Sequence, residues 1–287
     1  MSETVIKNEC LTVTIKSKGA EIKSVKNNNG VEFMWEADPK FWGFSAPILF
    51  PICGGLREDK FFYQGKEYTL TKHGYAKLSE FEVESVCENE AVFLLRSNEE
   101  TKKCYPFDYE FRAKYTLDKN SLKVSYEVTN LTDGEMYTDF GGHEAYACPG
   151  GIGGYSVIFD EKENLDAACL EGNHFNYETY RVGENTNTLA LNDEFFKTDA
   201  LAFLNLKSRG VVLAANDGSR KIRVDYPGHP YVLLWTTYTA PYLCIEPWVG
   251  MPDRVDANQQ ITDKEGIIKI EKDGKFERIH TITFEGK

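Results

Sequence analysis

Period-two alternation of apolar and polar residues recurs along the whole chain, and no stretch sustains the 3.6-residue period of an amphipathic helix. Leu11-Thr-Val13-Thr-Ile15 alternates, and Glu21-Ile22-Lys-Ser-Val25 reads as a second strand. Leu122-Lys-Val124-Ser-Tyr126-Glu-Val128 sets its four apolar residues on one face. Such segments bury a single side as strands. Turn chemistry punctuates them. Asn27-Asn-Asn-Gly30 predicts a hairpin into Val31–Trp35, Gly65 a second hairpin within 61–68, and Lys272-Asp-Gly274 a terminal pair of strands, 267–270 with 279–284. Only 256–265 suits a short helix. The expected fold is all-β, with large antiparallel sheets stacked as a β-sandwich, in one domain over residues 1–287.

Charge narrows the partners. With 33 basic against 45 acidic residues the net charge is -12. Nucleic acids and anionic membranes need a basic footprint, so neither is an expected partner, whereas a small neutral ligand is. No run approaches the ~20 apolar residues of a membrane span, and the first residues do not read as a secretory signal. The seven cysteines are scattered and contain no C-x-x-C pair, which disfavours a zinc knuckle and a disulfide framework. The expected location is cytoplasmic, with free thiols. The sequence does not set the oligomeric state.

Chemistry concentrates in a few places. Leu243-Cys-Ile-Glu246-Pro-Trp248-Val-Gly250 reads as an apolar strand stopped by Pro247, delivering one carboxylate into an aromatic setting. Desolvation there raises a carboxyl pKa. Glu246 is therefore a candidate catalytic group, or else a structural acid accepting backbone hydrogen bonds; the segment fits both. His143 lies in Asp139-Phe-Gly-Gly-His143-Glu-Ala-Tyr146, where paired glycines let the backbone approach a ligand, and a histidine there suits acid–base work. A hydrogen-bonded loop histidine is the alternative. His73, before Gly74 and between aromatics and lysines, suits a binding mouth, while His174, His229 and His280 read as structural. His143 and Glu144 are neighbours on a strand and point to opposite faces, so they do not chelate, and no metal site is expected. Trp235 reads as core.

In order and spacing, several segments resemble the aldose 1-epimerase (galactose mutarotase) family, in its lactose-operon-associated branch. They are Ala20–Val25, Phe33-Met-Trp35, Ala46–Ile52, His73-Gly-Tyr-Ala76, Gly142-His-Glu-Ala-Tyr146, Asp199-Ala-Leu201 and Cys244-Ile-Glu-Pro-Trp-Val-Gly250. The resemblance implies a mutarotase-like supersandwich that interconverts the α and β anomers of a free sugar without metal or organic cofactor. By position, Glu246 is then the base, His143 the acid, and His73 and Asp199 hold the sugar; Trp248, Trp235 and Tyr146 would offer it apolar faces or equally serve as core, the reading taken for Trp235. Where the family often has a basic residue after the Gly following Phe-Pro, this chain has Gly55, with Arg57 two positions on as the replacement candidate; the family's frequent Arg after His-Gly-aromatic-Ala is Lys77. A sugar-binding protein without turnover is the alternative, and a β-sandwich glycosidase or lyase a third reading.

Overall fold

In the computed structural model, which describes residues 2–287, the alternating segments are strands, and two keep the predicted phase. Ile22–Asn27 instead buries Ile22 and Val25, three positions apart, beside a register shift between Thr14 and Ile15. Leu11–Lys16 buries Leu11, Val13 and Ile15, and Ser121–Asn130 buries Leu122, Val124, Tyr126 and Val128. Glu3–Lys7, Leu11–Lys16 and Ile22–Asn27 form a small antiparallel sheet of their own. Lys60–Tyr63 and Lys66–Thr69 form the expected hairpin.

The large sheet has 15 strands, all joined antiparallel. One end carries Ile48–Leu49, Gly141–Gly142, Glu144–Ala147, Tyr242–Trp248, Tyr231–Trp235 and Leu201–Phe203; the other carries Lys275–Gly286, Ser121–Asn130, Tyr109–Asp118, Glu90–Arg96 and Glu82–Val86. A twisted sheet this wide curls until its ends face one another. Phe140 sits 6.1 Å from both Phe111 and Tyr126, and Phe50 stacks on Phe111 at 4.5 Å. These rings form the layer between the two ends, and the buried apolar cluster extends from Ile6 to Phe284.

Four local expectations are corrected. After the Asn27 turn the chain returns as a hairpin but not as a full strand: Lys26 and Glu32 form a single antiparallel bridge, with Asn27 N–H donating to the Val31 carbonyl and Phe33 N–H to that of Val25. The Glu32 carboxylate also accepts the N–H groups of Val25 and Met34, and Trp35 N–H passes to Ala145 of the large sheet. The two C-terminal segments do not pair with each other. Ile268–Ile270 pairs with Met136–Thr138, and Lys275–Gly286 lies between Ser121–Asn130 and Arg220–Asp225. The stretch 256–265 is a loop with one 3-10 turn, Ile261–Asp263. Finally, Pro247 does not end its strand, which runs through Trp248 with Pro247 opposite Val232.

Candidate active site

The strand Tyr242–Trp248 is buried at all seven positions, and strict alternation sorts its side chains. Leu243 and Ile245 enter the interlayer core, while Cys244, Glu246 and Trp248 face the other way. Its neighbour is Glu144–Ala147, with Glu144 opposite Ile245 and Ala145 opposite Cys244. His143 falls in the gap between Gly141–Gly142 and Glu144–Ala147, next to the point where Pro247 has no N–H to donate to a ladder. The same alternation that sends Glu144 inward sends His143 out beside Glu246. Their side chains meet with Nε2 3.2 Å from Oε2.

The paired glycines serve packing of protein on protein. A Cβ on Gly141 would strike the Trp248 ring, and one on Gly142 would strike the Glu144 carboxylate. Trp248 Nε1 donates to the Gly142 carbonyl at 3.2 Å, which locks the indole beneath the pair. On the far face Glu144 Oε1 lies 2.9 Å from His280 Nε2 and accepts a longer bond, 3.4 Å, from the Tyr126 hydroxyl. His280 is structural, as its alternation suggested.

A cleft of about 450 Å³ opens over His143 and Glu246, within the usual size of small-molecule sites. His73 lines it with φ of +66°, a left-handed conformation in which a non-glycine residue is uncommon. Its Nδ1 accepts the Gly54 N–H at 3.0 Å. A backbone N–H can only donate, so the neutral ring carries its proton on Nε2 and presents a donor. His73 stands edge-on to His143 at 5.8 Å and to Trp248 at 5.6 Å. Asp199 also lines the cleft, with Oδ1 accepting the Ala200 N–H at 2.8 Å.

Two expected contacts fall elsewhere. Tyr146 shares the inward face with Glu144 and is buried in the core, because three positions from His143 is an odd number on a strand. Arg57 turns to the loop beyond Val249, where its Nη1 donates to the Ala257 carbonyl at 3.1 Å. Conversely, Trp235, read as core, lines the cleft at 5.5 Å from His143. Trp42 was not singled out in the sequence, yet its ring lies against His143 at 4.9 Å and 32°, and edge-on to Trp235 at 5.2 Å. It belongs to a loop with no periodicity, held by the Trp35 indole N–H donating to the Trp42 carbonyl at 3.0 Å. The only available sign was the aromatic run Phe41-Trp42-Gly43-Phe44.

Burial governs the protons. It pushes the Glu246 carboxyl well above the usual carboxylate range; Lys72 opposes this, and Glu144 and Asp199 add to it. The same desolvation brings His143 down to about 3, with Lys77 and Lys72 contributing in the same direction. His73 is also held well below its ordinary value, by burial and then by His143. Burial thus favours an uncharged carboxyl beside an uncharged imidazole. Ligand atoms of His143, Cys244 and Glu246 lie within 4.8 Å of one another, a set suited to a thiophilic divalent ion that local spacing had not suggested. Burial pushes the Cys244 thiol up, so its proton would have to leave for metal to bind.

The chain matches the aldose 1-epimerase family over residues 2–269. It is 35% identical over 279 residues to the plasmid-encoded protein LacX of Lactococcus lactis subsp. lactis, covering 92% of this chain and 93% of that one. A galactose mutarotase related enzyme from Lactobacillus acidophilus superposes with a TM-score of 0.94 at 34% identity, over 99% of this chain and 98% of the other. A galactose mutarotase-like protein from Lactobacillus casei ATCC 334 gives 0.94 at 25% identity, over 99% and 100%. Fold, length and sequence agree, and the chain belongs to the aldose 1-epimerase family.

Proposed function

We propose that the protein is an aldose 1-epimerase that interconverts the anomers of a hexose or related sugar, with Glu246 as base and His143 as acid. The observation that carries this reading is the His143–Glu246 contact of 3.2 Å at the floor of a buried, aromatic-walled cleft. Glu246 takes the proton from the anomeric hydroxyl, the C1–O5 bond breaks, and His143 gives its proton to O5. Rotation about C1–C2 presents the other face of the aldehyde, and the two transfers run in reverse. Ring opening turns carboxylate and imidazolium into carboxyl and imidazole. Burial favours that uncharged pair, so forming the ionised pair that starts the cycle costs free energy, which ring opening returns. The Nε2–H of His73 and the carboxylate of Asp199 hold sugar hydroxyls, and Trp42, Trp235 and Trp248 cover the C–H faces. The seven free cysteines support a reducing, cytoplasmic compartment.

The test is polarimetry or NMR of freshly dissolved α-D-glucose and α-D-galactose with wild type, Glu246→Gln and His143→Asn. Wild type accelerates anomer exchange, and each substitution lowers kcat/KM by about 10²–10⁴. Failure of wild type to accelerate exchange of any aldose would refute the reading; sugar binding without turnover would replace it with a binding protein.

A further inference from the structure

The left-handed backbone of His73 is strained for a non-glycine residue and persists only where its surroundings fix it. Gly54 does the fixing. The His73 N–H donates to the Gly54 carbonyl at 2.8 Å, and the Gly54 N–H returns a bond to His73 Nδ1 at 3.0 Å. This reciprocal pair sets both the backbone and the tautomer of His73. The ring is therefore placed only as firmly as Gly54 itself.

Two buried aspartates grip the chain on either side of Gly54, at every second residue from Pro51 to Arg57. Upstream, the Asp139 N–H donates to the Pro51 carbonyl at 3.0 Å, and Asp139 Oδ1 accepts the Cys53 N–H. Downstream, the Asp253 N–H donates to the Gly55 carbonyl at 2.9 Å, and Asp253 Oδ2 accepts the Arg57 N–H at 2.9 Å. The aspartates come from separate segments, Asp139 directly after Met136–Thr138 and Asp253 beyond Trp248.

Lys264 joins them. Its Nζ lies 3.5 Å from Asp139 Oδ2 and 3.9 Å from Asp253 Oδ1, the two oxygens that the gripped segment does not use, and it donates to the Met251 carbonyl. All three side chains are buried. A buried ion pair adds little stability over a well-packed apolar group, so stability is a weak reason for a lysine here. Its geometric effect is specific: one ammonium group draws together the two carboxylates that hold Gly54 in place.

We propose that Lys264 is a positioning residue for the cleft, joining Asp139 to Asp253 so that Gly54 keeps His73 in the tautomer presenting Nε2–H. Its part in turnover rests on the epimerase reading; its hold on His73 does not. Without it, the Gly54 N–H drifts from Nδ1 and the neutral ring samples both tautomers. His73 holds the sugar and moves no proton, so the loss falls on KM.

The ring nitrogens are read by long-range 1H–15N NMR on the full chain, with His73 assigned from His73→Gln, and anomer exchange of galactose is measured alongside. In wild type, His73 shows an unprotonated Nδ1 and a protonated Nε2. Lys264→Met is expected to draw the two nitrogen shifts together and to raise KM by about tenfold, with kcat changed less than about threefold. Asp253→Asn keeps an oxygen for the Arg57 N–H while weakening the pull on Lys264; it acts in the same direction and decides the matter if Lys264→Met does not fold. Leu122→Ala, a buried cavity variant in Ser121–Asn130, controls for general loosening and leaves the ring unchanged. An unaltered His73 ring in every folded variant, the same alteration in Leu122→Ala, or an altered ring with KM unmoved overturns the inference. If wild type exchanges no aldose, the epimerase reading falls, and the ring nitrogens still decide whether Lys264 positions His73.

Discussion

Replacing His280 by leucine isolates the polar pair on the far side of the sheet from the cleft. Glu144 is 1% exposed and His280 0%, so the leucine leaves a carboxylate that retains only the 3.4 Å bond from Tyr126; its Oε2 has no partner already. Removing one member of a buried pair typically costs about 3–5 kcal/mol. With an unfolding entropy of ~2.1 cal/mol/K per residue, 287 residues give roughly 0.6 kcal/mol/K, so Tm should fall by about 5–8 °C. Glu144→Met with His280→Leu removes both groups and should recover at least about 1 kcal/mol of the summed single losses. Scanning calorimetry reads both quantities. A fall below about 2 °C for His280→Leu, or strict additivity, would show that the pair is not an obligate buried unit. A separate readout concerns the cleft: Glu144 helps raise the Glu246 pKa, so Glu144→Gln lowers it and Glu246 stays ionised to lower pH. The acid limb of kcat/KM should move down in pH; no movement would mean that Glu144 exerts no field across the sheet.

Trp42→Ala removes an aromatic wall and should lower kcat/KM by about 2–10-fold with little loss of Tm, measured by exchange NMR and calorimetry. Added Zn²⁺ should inhibit anomer exchange reversibly by engaging His143, Cys244 and Glu246, and Cys244→Ser should weaken that inhibition by roughly tenfold; unchanged inhibition would place the ion elsewhere. Lys264 is buried at 3.5 Å from Asp139 and 3.9 Å from Asp253, so Lys264→Met should cost about 3–5 kcal/mol in urea unfolding.

The strands were legible because burial on one face leaves a period-two trace, as in Leu11–Lys16 and Ser121–Asn130. Alternation also separated His143 from Glu144, and the same count applied to Tyr146 would have sent it inward. What escaped was partner choice. Nothing in Ile268–Ile270 distinguishes Met136–Thr138 from the adjacent C-terminal segment, because short apolar strands fit several neighbours. Cleft walls drawn from loops escaped as well: Trp42 has no periodicity to read, and Arg57 is oriented by a loop about 200 residues further along the chain.

The cleft draws on Trp42, His73, His143, Asp199, Trp235 and Glu246, spread over most of the chain, and two of its central members meet across neighbouring strands of one continuous sheet. Such long-range pairing forms slowly, because distant segments must close large loops before contact rewards them. As the chain leaves the ribosome, His143 must wait about a hundred residues for Glu246. No amino-terminal fragment ending before Tyr242 can hold the pair. During refolding, catalysis should therefore return with the slowest structural phase, making anomer exchange a kinetic clock for closure of the sheet.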